Sequence, residues 1–98
     1  MTESTIQKQI IDYLKAAGHI VLRMNSGMAA KNIHLCPPGT PDLLTVSPSG
    51  KVTWVEIKTA TGKLRPAQVD MICDLKARKQ EIIIARSLSD VSGKEWVF

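Results

Sequence analysis

Near the N-terminus, apolar residues recur at three- and four-residue steps: Ile6, Ile10, Leu14 and Ala17. That spacing puts them on one side of a helix and predicts a helix over residues 3–17. Two N-terminal caps compete: Thr2, and Ser4 in a capping-box pattern with Gln7. Gly18 is suited to stop the helix. The pattern then changes. His19 to Met24 holds the continuous run Ile20-Val21-Leu22, a short strand. Residues 42–58 carry two apolar runs around Ser47-Pro48-Ser49-Gly50, which is a hairpin signal. Pro66, at a position suited to proline, begins a second helix with the apolar stripe Val69, Ile72, Cys73 and Leu75. Glu81 to Ala85 contains Ile82-Ile83-Ile84 and reads as a buried strand. A strand reached from a strand through a helix implies a right-handed parallel crossover. Residues 87–92 read as a helical turn. Trp96-Val97-Phe98 reads as a terminal strand that packs in the core or against a partner subunit.

The hairpin admits a definite register. If Pro48, Ser49 and Gly50 form a three-residue loop with Gly50 in the left-handed conformation, Ser47 faces Lys51. Opposed residue numbers then sum to 98, so Asp42 faces Glu56. Side chains alternate along a strand, which puts Lys58 on the face of Glu56. Leu44, Val46, Val52 and Trp54 share that face, while Leu43, Val55 and Ile57 occupy the other. A sheet apolar on both faces needs cover on both, which predicts an α/β sandwich.

Two carboxylates directly opposed on a sheet repel each other. A divalent cation between them reverses that penalty, and Mg²⁺ takes one or two carboxylates together with waters and a substrate phosphate. Lys58 adds a cation able to hold an attacking water or a phosphate oxygen. The stretch therefore contains the parts for metal-assisted phosphodiester hydrolysis. The competing interpretation is a surface hairpin with scattered charges. The register and the preceding Gly39-Thr40-Pro41 favour a site.

Composition narrows the picture. The chain has 98 residues, which predicts one domain over 1–98 with a single modest core. Its net charge is +4, which favours a polyanionic partner. Aromatic residues are too few for a platform that stacks single-stranded bases. No apolar run approaches the roughly 20 residues that span a bilayer. The start, Met1-Thr2-Glu3-Ser4, is polar and acidic, so a cytoplasmic location is expected. Cys36 and Cys73 make no disulfide framework, and with His19 and His34 they lack zinc-site spacing. Cys73 is assigned to the core and Cys36 to a loop.

Other residues have two readings each. Glu3 lies on the apolar side of the first helix, where an acid also suits the helix dipole. Residues 25–38 form a long connection that is either a flap over DNA or a mobile loop, with Arg23, Lys31 and His34 in or beside it. His34 is an acid–base candidate or an incidental loop histidine. Lys63 and Arg65 contact phosphates or sit on a solvated loop. Gln68 faces inward in the first turn of its helix, as a cap or as a site residue.

Pro41-Asp42 followed by Glu56-Ile57-Lys58 resembles the PD-(D/E)xK nuclease signature. The finer resemblance is to its VRR-NUC (virus-type replication-repair nuclease) branch. It rests on Glu3, Arg23-Met24-Asn25-Ser26-Gly27, Gly39-Thr40-Pro41-Asp42 and Lys63-Leu64-Arg65-Pro66-Ala67-Gln68, spanning residues 3 to about 90. It implies a restriction-endonuclease-like α/β/α sandwich with a mixed central sheet. It implies a Mg²⁺- or Mn²⁺-dependent DNA endonuclease with Asp42, Glu56, the Ile57 carbonyl and Glu3 at the metal. Lys58 and Gln68 would complete the catalytic set, and Arg23, Asn25, Lys31, Lys63 and Arg65 would contact DNA. Compact stand-alone members look like homodimeric Holliday-junction resolvases of phage or bacterial origin, acting on branched or double-stranded DNA. A monomeric nickase and a non-catalytic nucleic-acid-binding module are the alternatives. Family members often have a glycine where Lys79-Gln80 stands, which leaves the geometry of that loop open.

Overall fold

A computed structural model describes residues 1–24 and 36–98. Helix α1 spans Glu3–Ala16, followed by strands β1 (Ile20–Arg23), β2 (Leu43–Val46) and β3 (Val52–Ile57). Helix α2 (Pro66–Ala77) and strand β4 (Ile82–Ala85) come next, and two 3₁₀ turns at Leu88–Asp90 and Glu95–Val97 end the chain. The four strands form one mixed sheet in the order β1-β2-β3-β4. The first three run antiparallel, and β4 is parallel to β3, as a crossover through α2 requires.

Of the two candidate caps, Thr2 closes α1: its Oγ1 accepts the Thr5 N–H at 3.1 Å, and Ser4 is left inside the first turn. Gly18, at φ +89°, ends the helix in a Schellman arrangement, with His19 N–H on Leu14 O and Gly18 N–H on Lys15 O. The apolar stripe does what its spacing predicts. Ile6, Ile10 and Leu14 are buried against Leu43, Val55 and Ile57 from one face of the sheet, with Ala85, Val91 and Val97 closing the core.

The hairpin register is the predicted one: Leu43 faces Val55, Leu44 faces Trp54, Thr45 faces Thr53 and Val46 faces Val52. Gly50 has φ +90°, and the loop closes with Gly50 N–H on Ser47 O and Ser47 N–H on Lys51 O.

Helix α2 flanks the sheet with a weaker stripe than the sequence suggests. Ile72 and Gln68 are buried, Val69 is 44 % exposed, and Cys73 lies on the surface rather than in the core. The assignment of Cys73 fails because a helix lying on a sheet hides only its innermost line of residues. Half-buried Cys36 donates its thiol to Met24 O.

The chain end also differs from expectation. Trp96-Val97-Phe98 does not join the sheet; it forms a 3₁₀ turn held from behind by a buried histidine. His19 Nε2–H donates to Val97 O at 2.6 Å, and Nδ1 meets Thr45 Oγ1 at 2.7 Å. A carbonyl can only accept, which places a proton on Nε2. Trp96 packs edge-on against the His19 ring, Val97 is fully buried and Phe98 remains exposed. The turn at 88–90 is as predicted. No described helix is long and apolar enough to cross a membrane.

Helix α2 ends in a second Schellman arrangement, with Gln80 N–H on Leu75 O and Lys79 N–H on Lys76 O. Its left-handed position holds Lys79 at φ 63°, a conformation that costs a side-chain-bearing residue about 1–2 kcal/mol. The turn thus keeps a glycine-like geometry without glycine. Lys79→Gly relieves the strain at some cost in unfolded-chain entropy, for a net gain of about 0.5–1 kcal/mol. Thermal unfolding of the variant should show a Tm higher by about 2–6 °C, with Lys79→Ala giving no such rise.

Candidate active site

Asp42 and Glu56 meet at the end of the sheet. Asp42 directly precedes β2, and its carbonyl accepts Met24 N–H at 2.9 Å, extending the β1–β2 ladder by one residue. Its side chain crosses to β3, where Oδ2 accepts the Ile57 N–H at 2.7 Å. Glu56, the neighbour of Ile57 on β3, is 2 % exposed, and its Oε1 has no hydrogen-bond partner among the described residues. Lys58, one residue past β3, is 6 % exposed; its backbone N–H donates to Ala85 O, so strand pairing still holds it.

The electrostatics match the crowding. The Glu56 carboxyl is pushed up from 4.5 to about 8. Burial is the largest cause, followed by hydrogen bonding with and repulsion from Asp42; Lys58 opposes the shift, and Glu3 adds to it from the start of α1. In the bare protein at neutral pH, Glu56 therefore carries a proton. Glu3 itself is exposed, and the described residues contain no cluster of three metal-ligating side chains. Two opposed carboxylates, one with an unpartnered buried oxygen, are nevertheless a donor set that suits a hard divalent cation completed by water and phosphate.

The segment leading into Asp42 is clamped against α2. Gly39, at φ +87°, lies so close that an added Cβ would stand 2.1 Å from Ala67 O. No other residue fits there without moving the first turn of α2. Thr40 Oγ1 donates to Pro37 O at 2.7 Å, and Pro41 is fully buried. Gln68 is buried, accepts the Arg65 N–H at 2.8 Å with Oε1, which caps α2, and lines the cleft beside Asp42. Asp42, Thr40, Gly39, Arg65 and Gln68 line a cleft of about 360 Å³ together with Cys36, Pro37 and Pro38.

The predicted DNA-contacting cations are spread around this end. Lys63 and Arg65 are exposed on the connection from β3 to α2. Arg23 ends β1. With the Gln7 amide oriented so that its oxygen faces the guanidinium, Oε1 accepts from Nη2 at 3.1 Å and from Nε at 3.2 Å. Arg23 also borders a groove along α1 lined in part by Lys8, Lys15 and the Lys8 partner Asp12. Asn25, Lys31 and His34 lie outside the described residues.

Sequence reasoning missed Lys8 and Lys15, which share a polar helix face at a seven-residue spacing, and it missed Arg86. Arg86 follows the apolar run of β4 directly, and its guanidinium reaches back to the carbonyls of Thr59 and Gly62, each at 2.7 Å. A cation closing an isoleucine-rich strand was the available signal.

The raised Glu56 carboxyl has a consequence for stability. Between pH 4.5 and about 8 the folded protein binds a proton that the unfolded chain releases, so stability without metal falls as pH rises, by up to about 1.4 kcal/mol per unit. Glu56→Gln should remove that slope and be the more stable protein at pH 7–8. Urea unfolding in chelator at several pH values measures both curves; parallel curves would contradict the assignment.

The VRR-NUC domain family profile matches residues 2–88. A solved structure described as a VRR_NUC domain superposes with a TM-score of 0.72, covering 93 % of this chain and 91 % of that chain at 24 % sequence identity. At that identity the likeness establishes the fold, an α/β arrangement of a four-stranded mixed sheet flanked by two helices. No curated protein matches the sequence. PD-(D/E)xK-type nucleases generally use a divalent metal, in keeping with the carboxylate pair. With nearly its whole length covered by the family profile, the chain belongs to the VRR-NUC family of nuclease domains.

Proposed function

We propose that this nuclease domain, comprising residues 1–98, is a Mg²⁺- or Mn²⁺-dependent DNA endonuclease that works as a homodimer on branched DNA, foremost four-way junctions. The observation that carries the reading is the Asp42–Glu56 pair, with Glu56 buried and Asp42 half-buried at the cleft, set by the hairpin register and with Lys58 close by. A nucleic-acid-binding module without catalysis would leave the buried Glu56 Oε1 without a partner.

Asp42, Glu56 and the Ile57 carbonyl would hold the cation, with Glu3 adding negative charge through water. When bound, the cation supplies Lewis-acid polarisation of the scissile phosphate and a lowered pKa for water. The residues of the chain do the rest. Ile57 N–H keeps the Asp42 carboxylate turned toward β3. The Lys58 ammonium orients the attacking water and stabilises charge on the phosphate oxygens. Gln68, its oxygen engaged by Arg65, offers its amide nitrogen to Asp42 or to a water in the cleft. Arg23, Lys63 and Arg65 follow the DNA backbone, where each phosphate contact adds salt dependence but no sequence preference.

Junction resolution needs two cuts related by two-fold symmetry. One such site hydrolyses one strand at a time, and a C₂ dimer provides two sites in that relation. Val97, buried in its own core, is not available to an interface, whereas Phe98 is.

Asp42→Ala, Glu56→Ala and Lys58→Ala should each lower the cleavage rate by about 100- to 1,000-fold while leaving the folded spectrum intact. Ca²⁺ should support DNA binding without hydrolysis, because it accepts looser geometry. Cleavage at near wild-type rate by Asp42→Ala or Glu56→Ala would remove the metal-site reading.

Light scattering at micromolar protein, beside cleavage of junction, flap and linear duplex in Mg²⁺, checks the substrate. The expected result is a dimer that cuts junctions in paired strands. A monomer that cuts flaps and spares junctions would make it a structure-selective nickase.

A further inference from the structure

Arg86 makes contacts that neither the metal site nor the core accounts for. It stands just past β4, and its backbone N–H donates to Asp90 Oδ2 at 2.8 Å, which fixes it at the strand end. From there Nη1 donates to Thr59 O and Gly62 O, each at 2.7 Å, with Ala60 O at 3.5 Å. The two short bonds are charge-assisted, and such bonds are stronger than those between neutral groups. They draw the loop that leaves β3 into a tight turn over the strand end.

This turn lies beside the stem of Lys58. At Gly62, an added Cβ would stand 3.6 Å from Lys58 Cδ and 2.9 Å from Thr59 Oγ1. The space on the Cβ side of Gly62 is thus bordered by the side chain of Lys58, which is 6 % exposed. The backbone of Lys58 is held from the same side, through its N–H to the carbonyl of Ala85, the neighbour of Arg86. Two adjacent residues therefore bear on Lys58: Ala85 by strand pairing at its backbone, and Arg86 through the loop beside its stem.

We propose that Arg86 is a positioning residue of the nuclease site: by holding the Thr59–Gly62 turn, it fixes the Lys58 ammonium against the Asp42–Glu56 pair. The proposal rests on the role given to Lys58 above. Lysine would replace it only in part, because it keeps the charge but brings a flexible, strongly hydrated point donor. Since Arg86 acts through the loop and not on DNA, its loss shows in turnover and not in substrate affinity.

Arg86→Gln and Arg86→Lys test this on the full chain, at a temperature where near-UV circular dichroism shows both folded. At saturating DNA in Mg²⁺, Arg86→Gln should lower kcat by about 10- to 100-fold, the scale of a misplaced catalytic group. Its Kd for the same DNA in Ca²⁺ should stay within about twofold of wild type, because phosphate contacts set affinity. Arg86→Lys should recover part of the rate. Independently of activity, acetylation of Lys58 by an N-hydroxysuccinimide ester, followed by mass spectrometry, should be several-fold faster in Arg86→Gln. Unchanged kcat, a defect confined to Kd, or unchanged Lys58 labelling would overturn the proposal. A wild-type protein that cuts no DNA would instead refute the nuclease mechanism, and the labelling would then decide by itself whether Arg86 holds Lys58.

Discussion

The structure depends on a three-residue loop. Pro48, Ser49 and Gly50 close the β2–β3 hairpin with Gly50 left-handed, and that closure dictates every pairing down to the far end of the two strands. A slip of one residue would turn each side chain to the opposite face. Leu43, Val55 and Ile57 would leave the core beneath α1, and Asp42 would lose Glu56. The register that builds the core also brings two carboxylates together at one end of the sheet, Glu56 buried and Asp42 at the cleft. Glu56 responds by holding a proton at neutral pH, its carboxyl raised to about 8. The chemistry of the site is thus a consequence of sheet geometry.

The remaining parts keep that corner in place. The Ile57 N–H fixes Asp42 from β3. Gly39 lets the approaching chain touch the Ala67 carbonyl of α2, so the entrance to β2 and the start of α2 form one contact. Gln68 caps the same helix end and borders the cleft. On the other side of β3, Arg86 draws the following loop over Lys58. The His19 bridge between Thr45 and Val97 anchors the chain end behind the sheet, away from the carboxylates. The residues of the site are therefore supported by backbone contacts on rigid elements as well as by one another.

Much of this was legible in the sequence because local rules coincide with the global arrangement. A left-handed glycine in a short loop fixes a register by counting, and alternation then assigns faces. The periodicity of Ile6, Ile10 and Leu14 finds its core directly. The failures have a common physical origin in tertiary context. Val69 and Cys73 sit at helical spacing with Ile72, yet the sheet covers only the innermost line of α2. Trp96-Val97-Phe98 has strand-like composition, but the His19 side chain captures the Val97 carbonyl and the segment turns. Thr2 prevails over Ser4 as a cap by where the first helical turn begins. Arg86 showed only as a cation closing an apolar strand, because its partners are backbone carbonyls, which carry no signature in side-chain identity.

The most direct test of the central claim is proton release on metal binding. Calorimetric titration of Mg²⁺ or Mn²⁺ at pH 7, in buffers of different ionisation enthalpy, counts the protons displaced when the cation binds. With the Glu56 carboxyl at about 8 in the metal-free protein, the account predicts that close to one proton leaves per site at pH 7, few at pH 9, and none from Glu56→Gln. Metal binding at pH 7 without proton release, or the same release from Glu56→Gln, would contradict it.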